Sequence, residues 1–400
     1  MHALRCHTVG RSRSNSSTSH VASVAVMKLL LLAGTRPEVI KMAGVAYALQ
    51  QRADIQSLFC STGQHRSMLD DTMADLRLKA DVDLGVMDHA RGLTDLTAYI
   101  LQKLDPVISN FNPDWVIVQG DTTTAMAGAL AAFYRKVPVG HVEAGLRTYN
   151  LYSPWPEEGN RKIVSAIATR HFAPTQVSRA NLIAEGIADA SIVVTGNSVI
   201  DALLHTRAKI MGDARLRDEL NARLGWIDPN KRLILVTGHR RENFGEGFRT
   251  ICEALKTLSH RPDVQIIYPL HLNPAVKGPV HEALGREPNI RLIEPLSYTP
   301  FVHLMMRCHL IMTDSGGVQE EAPSLGKPVL VMRDTSERPE AISAGTARLV
   351  GTSVATIVQA ANAVLDDATI YETMSRASNP YGDGTAGERI VRSLCDPVAQ

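Results

Sequence analysis

The chain has 400 residues, beyond the size at which one hydrophobic core stops growing, so two domains are expected. Its 42 basic and 41 acidic side chains leave no basic footprint for nucleic acid, while 44% hydrophobic residues can fill substantial cores. No uncharged run approaches the ~20 residues of a membrane span, and five scattered cysteines (Cys6, Cys60, Cys252, Cys308, Cys395) without metal-ligand spacing suit reduced thiols in a cytoplasmic protein.

Residues 1–26 are rich in Ser, Arg and His, contain no Asp or Glu, and lack an apolar signal-peptide core. They read as a disordered extension ahead of a start at Met27, with a transit-like leader as the alternative. Lys28-Leu29-Leu30-Leu31-Leu32-Ala33 then reads as a buried parallel strand. It runs into Gly34-Thr35-Arg36-Pro37-Glu38-Val39-Ile40-Lys41, where Pro37 fits a first helical turn. Arg36 and Lys41 place two cations beside a strand's carboxyl end, where open α/β sheets bind ligands; either alone reads as surface charge. Further strands are predicted near 55–61, 114–119, 137–142 and 192–195, with helices over 36–51, 92–110, 121–135 and 176–185. Such alternation predicts a parallel sheet covered on both faces.

Three carboxylates fall where such sheets place chemistry. Asp121 follows Trp115-Val116-Ile117-Val118-Gln119-Gly120, and its plainer reading is a helix N-cap. Glu143 ends Val137-Pro138-Val139-Gly140-His141-Val142; a carboxylate there is costly to bury unless paired, and Arg147 is a candidate partner. Glu157 opens a helix after Pro154 and Pro156, where acidic residues are favoured by the dipole anyway.

Residues 196–212 read as the connection between domains. A second alternating series begins at 232–237 and continues through 264–269, 290–293, 308–313 and 328–332. His239 lies just past its first strand among Arg240, Arg241 and Glu242, placed to meet phosphate. His271 is a weaker candidate that also suits a turn. After His309-Leu310-Ile311-Met312 comes Thr313-Asp314-Ser315-Gly316-Gly317-Val318-Gln319-Glu320-Glu321, a strand ending in a Ser-Gly-Gly turn that opens a helix. Glycines let backbone N–H groups close on a diphosphate, and Glu321 lies one turn on, in reach of ribose hydroxyls. Gly382-Asp383-Gly384-Thr385-Ala386-Gly387 matches the dinucleotide fingerprint only formally: no strand precedes it, and it reads as a turn capping the last helix. The predicted architecture is α/β, two doubly wound Rossmann-like domains facing a cleft: 27–196, and 197–379, with the segment 380–400 returning to the first.

Taken together, the ordered segments Gly34-Thr35-Arg36-Pro37-Glu38, Gln64-His65-Arg66, Gln119-Gly120-Asp121-Thr122, His141 to Arg147, Pro156-Glu157-Glu158, His239 to Asn243, Ser315 to Glu321, Glu337-Arg338-Pro339-Glu340 and Asn379 to Gly384 resemble the non-hydrolysing UDP-N-acetylglucosamine 2-epimerases. The resemblance spans Met27 to about Val391 in one order. It implies a GT-B-like fold, no metal and no nicotinamide cofactor, interconversion of UDP-GlcNAc and UDP-ManNAc, and a homodimer. It assigns Arg36, Lys41, His239, Ser315, Gly316, Gly317, Glu321 and Arg338 to the UDP moiety and places Phe301 near uracil. Asp121, Glu143 and Glu157 match the family's acid/base carboxylates, with His239 beside them. Gln64, His65, Arg240 and His271 match a second nucleotide-sugar site that activates some members, although Ala90-Arg91-Gly92 and Ser67 depart from the pattern there. The competing readings are a GT-B glycosyltransferase, a hydrolysing epimerase and a non-catalytic nucleotide-sugar sensor.

Overall fold

The computed structural model describes residues 26–63, 66–86, 91–238, 240, 243–271, 273–336 and 338–396. The reading of the amino-terminal extension concerns residues that lie, but for Val26, outside these. Thirteen strands alternate with helices among the described residues and form two wholly parallel sheets. The first holds β1 (Met27–Ala33), β2 (Ile55–Ser61), β3 (Val82–Asp83), β4 (Trp115–Gln119), β5 (Val139–Val142), β6 (Arg170–Ala173) and β7 (Ile192–Val194), in the order β3-β2-β1-β4-β5-β6-β7. The second holds β8 (Arg232–Thr237), β9 (Val264–Pro269), β10 (Ile290–Ile293), β11 (Leu310–Thr313), β12 (Val329–Val331) and β13 (Ala347–Leu349), in the order β10-β9-β8-β11-β12-β13.

Leu29 to Leu32 are at most 1% exposed, so both faces of β1 are covered and its unbroken apolar run is explained. Strand order reverses between β1 and β4 in one sheet and between β8 and β11 in the other. These are topological switch points, and the loops leaving the four strands diverge to open a crevice at each. The segments 34–41, 120–122 and 314–321, and Arg240, all follow these strands.

Three strands escape the sequence pattern. β3 is two residues long and β13 presents exposed Arg348, as edges do. β6 carries Arg170 and His171; the imidazole is buried because its Nε2 meets the Ser165 carbonyl at 3.0 Å.

Helix Val199–Gly212 packs against helix Arg36–Gln50 and also against helices Tyr298–Arg307 and Gly316–Glu321 of the second half. The last helix, Ala386–Cys395, lies on Arg36–Gln50, where a Cβ on Gly387 would fall 2.2 Å from the Gly44 carbonyl oxygen. Asp201 accepts hydrogen bonds from the amides of Ala386 and Gly387 at 3.2 and 2.7 Å, satisfying that helix's first donors. The formal dinucleotide fingerprint is therefore a turn, with Gly382 and Gly384 at φ 129° and 86°. Among the described residues no helix is long and apolar enough to cross a membrane.

Candidate active site

A cavity of about 430 Å³ opens between the two switch points. Its floor on the first sheet begins at the turn after β1. Thr35 and Glu38 form a Thr-x-x-Glu start: Glu38 accepts from the amides of Gly34 and Thr35 at 3.0 and 2.8 Å and from the Thr122 hydroxyl. Burial pushes its carboxyl up to about 6, against the pull of those hydrogen bonds. Glu38 thus ties the turn after β1 to the turn after β4.

Asp121, Glu143 and Glu157 all line this cavity. The helix after β4 begins at Thr123, and its N-cap is Thr122, which accepts from the Ala125 amide at 3.1 Å. Asp121 is therefore not the cap; it meets Arg161 at 2.6 Å instead. Glu143 does not pair with Arg147, whose guanidinium is held by Glu185 at 2.7 Å. Its partner is Lys41, with Gln119 Nε2 donating to the other oxygen and Asn197 Nδ2 donating at 3.3 Å. Burial alone would raise the Glu143 carboxyl; the Lys41 ammonium outweighs it and holds the group below the usual carboxylate range. Glu143 also has φ 63°, a left-handed conformation that costs a non-glycine residue about 1–3 kcal/mol and clusters at functional sites. Glu157 keeps one buried oxygen, Oε2, without a hydrogen-bond partner among the described residues.

The opposite wall comes from the second sheet. Ser315, Gly316 and Gly317 open the short helix Gly316–Glu321 directly after β11. Arg338 lies over this turn: a Cβ on Gly316 would fall 2.8 Å from its guanidinium carbon and displace it. A Cβ on Gly317 would meet nothing within 4 Å among the described residues. Arg338 Nε is held by Glu320 at 2.9 Å. Glu321 accepts from Tyr298 at 2.7 Å, and burial pushes its carboxyl up to about 7. Arg36 crosses from the first half to donate to the Leu296 carbonyl at 3.1 Å; burial lowers its pKa while Glu321 and Asp75 oppose that.

Arg36, Lys41, Ser315, Gly316, Gly317, Glu321 and Arg338 therefore share one cavity with the three carboxylates. Arg240, read as part of a second site, lines this cavity too, and its backbone N–H is fixed by buried Asp314 at 2.9 Å. Phe301 and His271 do not line it. The Phe301 ring is half-buried against the main core, and exposed His271 accepts from the Asn273 amide at 3.1 Å, a turn contact. His239, Gln64 and His65 lie outside the described residues. Sequence reasoning passed over Glu38, Gln119, Arg161 and Asn197. The Thr35-to-Glu38 spacing carried a signal for the first; Asn197 carried none, because long-range folding alone brings it to Glu143.

Two facing Rossmann-like domains with a charged cleft at both switch points define the GT-B-like class. A sequence model described as UDP-N-acetylglucosamine 2-epimerase matches residues 47–395. The UDP-N-acetylglucosamine 2-epimerase of Escherichia coli O157:H7 is 55% identical over 92% of this chain and 98% of its own length. The probable UDP-N-acetylglucosamine 2-epimerase of Ralstonia solanacearum is likewise 55% identical over 92% and 98%. Among solved structures, the Neisseria meningitidis UDP-GlcNAc 2-epimerase bound to UDP-GlcNAc superposes with a TM-score of 0.87 at 48% identity, covering 92% of this chain and 99% of that one. The Methanocaldococcus jannaschii UDP-GlcNAc 2-epimerase in complex with UDP-GlcNAc and UDP gives 0.78 at 34%, over 92% and 99%. The chain belongs to the UDP-N-acetylglucosamine 2-epimerase family.

Proposed function

We propose that this chain interconverts UDP-GlcNAc and UDP-ManNAc without hydrolysis, by eliminating and re-adding UDP. The C2 proton of the sugar neighbours nitrogen rather than a carbonyl, so direct deprotonation is unfavourable. In the elimination route the C1–O bond breaks with its electron pair leaving on UDP. A carboxylate takes the C2 proton, and the freed C–H pair becomes the C1=C2 bond of 2-acetamidoglucal. UDP then adds back at C1 while a proton reaches the other face of C2. Cations beside the diphosphate stabilise the leaving group, and carboxylates on both sugar faces exchange the proton.

The observation that carries this reading is the shared cavity: Asp121, Glu143 and Glu157 face Arg36, Lys41, Arg338 and the Ser315–Gly317 turn within about 430 Å³. The solved relatives that hold UDP-GlcNAc and UDP support the ligand class. In this reading residues 27–196 with 380–400 close against 197–379, no metal or nicotinamide is needed, and the enzyme is a cytoplasmic homodimer supplying ManNAc units for surface polysaccharide.

Proton NMR of UDP-GlcNAc with enzyme in D₂O tests the reading. The expected result is UDP-ManNAc with deuterium at C2 of both epimers. Free ManNAc plus UDP identifies a hydrolysing epimerase, and an unchanged sugar without acceptor points to a transferase or a sensor.

A further inference from the structure

Arg161 stands between two carboxylates in different settings. Its Nε and Nη2 reach Asp121 Oδ2 at 2.8 and 2.6 Å, while Nη1 reaches Glu158 Oε2 at 2.9 Å. Glu158 is fully buried and accepts from the amides of Thr148 and Tyr149, each at 3.1 Å. A chain of charged hydrogen bonds therefore runs from the loop at 148–149 through Glu158 and Arg161 to Asp121. The neighbouring Asn160 Nδ2 donates to the Asp121 carbonyl at 2.8 Å, fixing the backbone of the same residue.

The Arg161 side chain is only 12% exposed, yet its guanidinium remains charged. Burial works against its charge, but Asp121 and Glu158 outweigh that and raise its pKa. A planar fork can serve both carboxylates at once in fixed directions, which a lysine point charge cannot do. The whole hold falls on Oδ2 of Asp121; Oδ1 has no hydrogen bond among the described residues. Asp121 and Arg161 both line the cavity, so the untethered oxygen belongs to a carboxylate whose rotation has been stopped at the wall of the site.

We propose that Arg161, itself set by Glu158, is a positioning residue that locks the Asp121 carboxylate by Oδ2 and leaves Oδ1 as its working oxygen. The inference rests on the epimerase reading above, since it gives Asp121 a proton to move. It separates two kinds of cation in one cavity: Arg36 and Arg338 on the nucleotide side, and Arg161 on the proton-transfer side.

Three variants test it: Arg161→Gln, Arg161→Lys and Glu158→Gln. Each is measured for kcat and KM with UDP-GlcNAc, for C2 deuterium incorporation in D₂O, and for UDP affinity by calorimetry. Misplacing a reacting group by about 1 Å costs on the order of 10²-fold. Arg161→Gln should therefore lower kcat and the exchange rate by about 10²-fold, with UDP affinity held within about threefold of wild type. Arg161→Lys should restore part of the rate, and Glu158→Gln should show a smaller loss with the same split. Unchanged exchange in Arg161→Gln overturns the inference, as does a fall in UDP affinity equal to the fall in rate. Should Arg161→Gln fail to fold, Arg161→Lys decides: wild-type exchange in that variant overturns the inference. No C2 exchange in the wild type sinks the epimerase reading and this inference together. Wild-type exchange with unaltered variants sinks the inference alone.

Discussion

Lys41 and Glu143 form a buried ion pair in the wall of the cavity, 12% and 6% exposed at their side chains, and neither is an isolated charge. Lys41 also lies 3.8 Å from Glu320, which Arg338 holds at 2.9 Å. Alternating charges thus run from the turn after β5 across the cleft to the turn after β11. Burial opposes the Lys41 ammonium, but Glu143 and Glu320 together raise its pKa. Lys41, set between Glu143 and Glu320, therefore links the loops at the carboxyl ends of the two sheets.

Breaking this chain by removing one partner should be far worse than removing both. Lys41→Met leaves Glu143 and Glu320 buried without their ammonium, a loss of about 3–5 kcal/mol. Adding Glu143→Gln to Lys41→Met should recover part of it. Thermal unfolding of the single and double variants checks this; a double variant less stable than Lys41→Met would refute the pairing.

Glu321 gives a pH dependence with a defined sign. Burial raises its folded pKa to about 7, with the Glu320 charge adding to it, while an unfolded Glu titrates near ~4.3. The native state holds the proton more tightly, so this contribution to stability is complete below about 4.3 and is lost as pH rises through about 7. Glu321→Gln mimics the protonated group at every pH. Its unfolding temperature relative to wild type should rise from pH 4 to pH 8 on this linkage, as read by scanning calorimetry. A pH-independent difference would show that Glu321 does not titrate as argued.

Much of the fold was legible because parallel strands buried on both faces write themselves as apolar runs, as Leu29 to Leu32 and Trp115 to Val118 do. The missed strand β6 carries a histidine, His171, which its fold neighbour Ser165 satisfies six positions back, so no apolar run marks it. In the site, residues on turns after strands were legible by type, since charge at a strand end is unusual. Their pairings were not: Glu143 turned to Lys41, 102 positions away, and the nearby Arg147 went to Glu185. Sequence proximity suggested the wrong partner because the turn after β5 is left-handed at Glu143.

Two glycines should separate packing from binding. Gly387→Ala drives a methyl to 2.2 Å from the Gly44 carbonyl oxygen, backbone against backbone, and should destabilise by about 1–3 kcal/mol. Gly317→Ala meets nothing within 4 Å among the described residues and should leave stability within about 0.5 kcal/mol, while weakening UDP through the space it fills. Unfolding temperatures with and without UDP read both outcomes.

The cavity proposed to hold the nucleotide should respond to UDP. A ligand that binds only the native state raises its unfolding temperature, so millimolar UDP should stabilise the wild type. Arg338→Ala should reduce that shift, since the guanidinium lies over the Ser315–Gly317 turn. An unchanged unfolding temperature with UDP would place the nucleotide elsewhere. Epimerisation should survive exhaustive EDTA treatment and need no added NAD; loss restored by one divalent ion would overturn the metal-free reading.

The sharpest expectation concerns proton transfer. Asp121→Asn, Glu143→Gln and Glu157→Gln keep each side chain's shape and remove its capacity to exchange a proton. Each should lower turnover by roughly 10²–10⁴-fold while UDP still raises the unfolding temperature. The three should differ in character, because their surroundings do. Glu143 is held by Lys41, Gln119 and Asn197, so its replacement disturbs a network and should cost stability as well. Glu157 has a buried oxygen without a partner among the described residues, so Glu157→Gln should cost activity with little loss of stability. A variant slowed mainly in re-addition should release 2-acetamidoglucal and UDP, visible by NMR. Product UDP-ManNAc that keeps its original C2 hydrogen in D₂O would exclude elimination, whatever the variants did, because a proton removed from one face cannot simply return to the other.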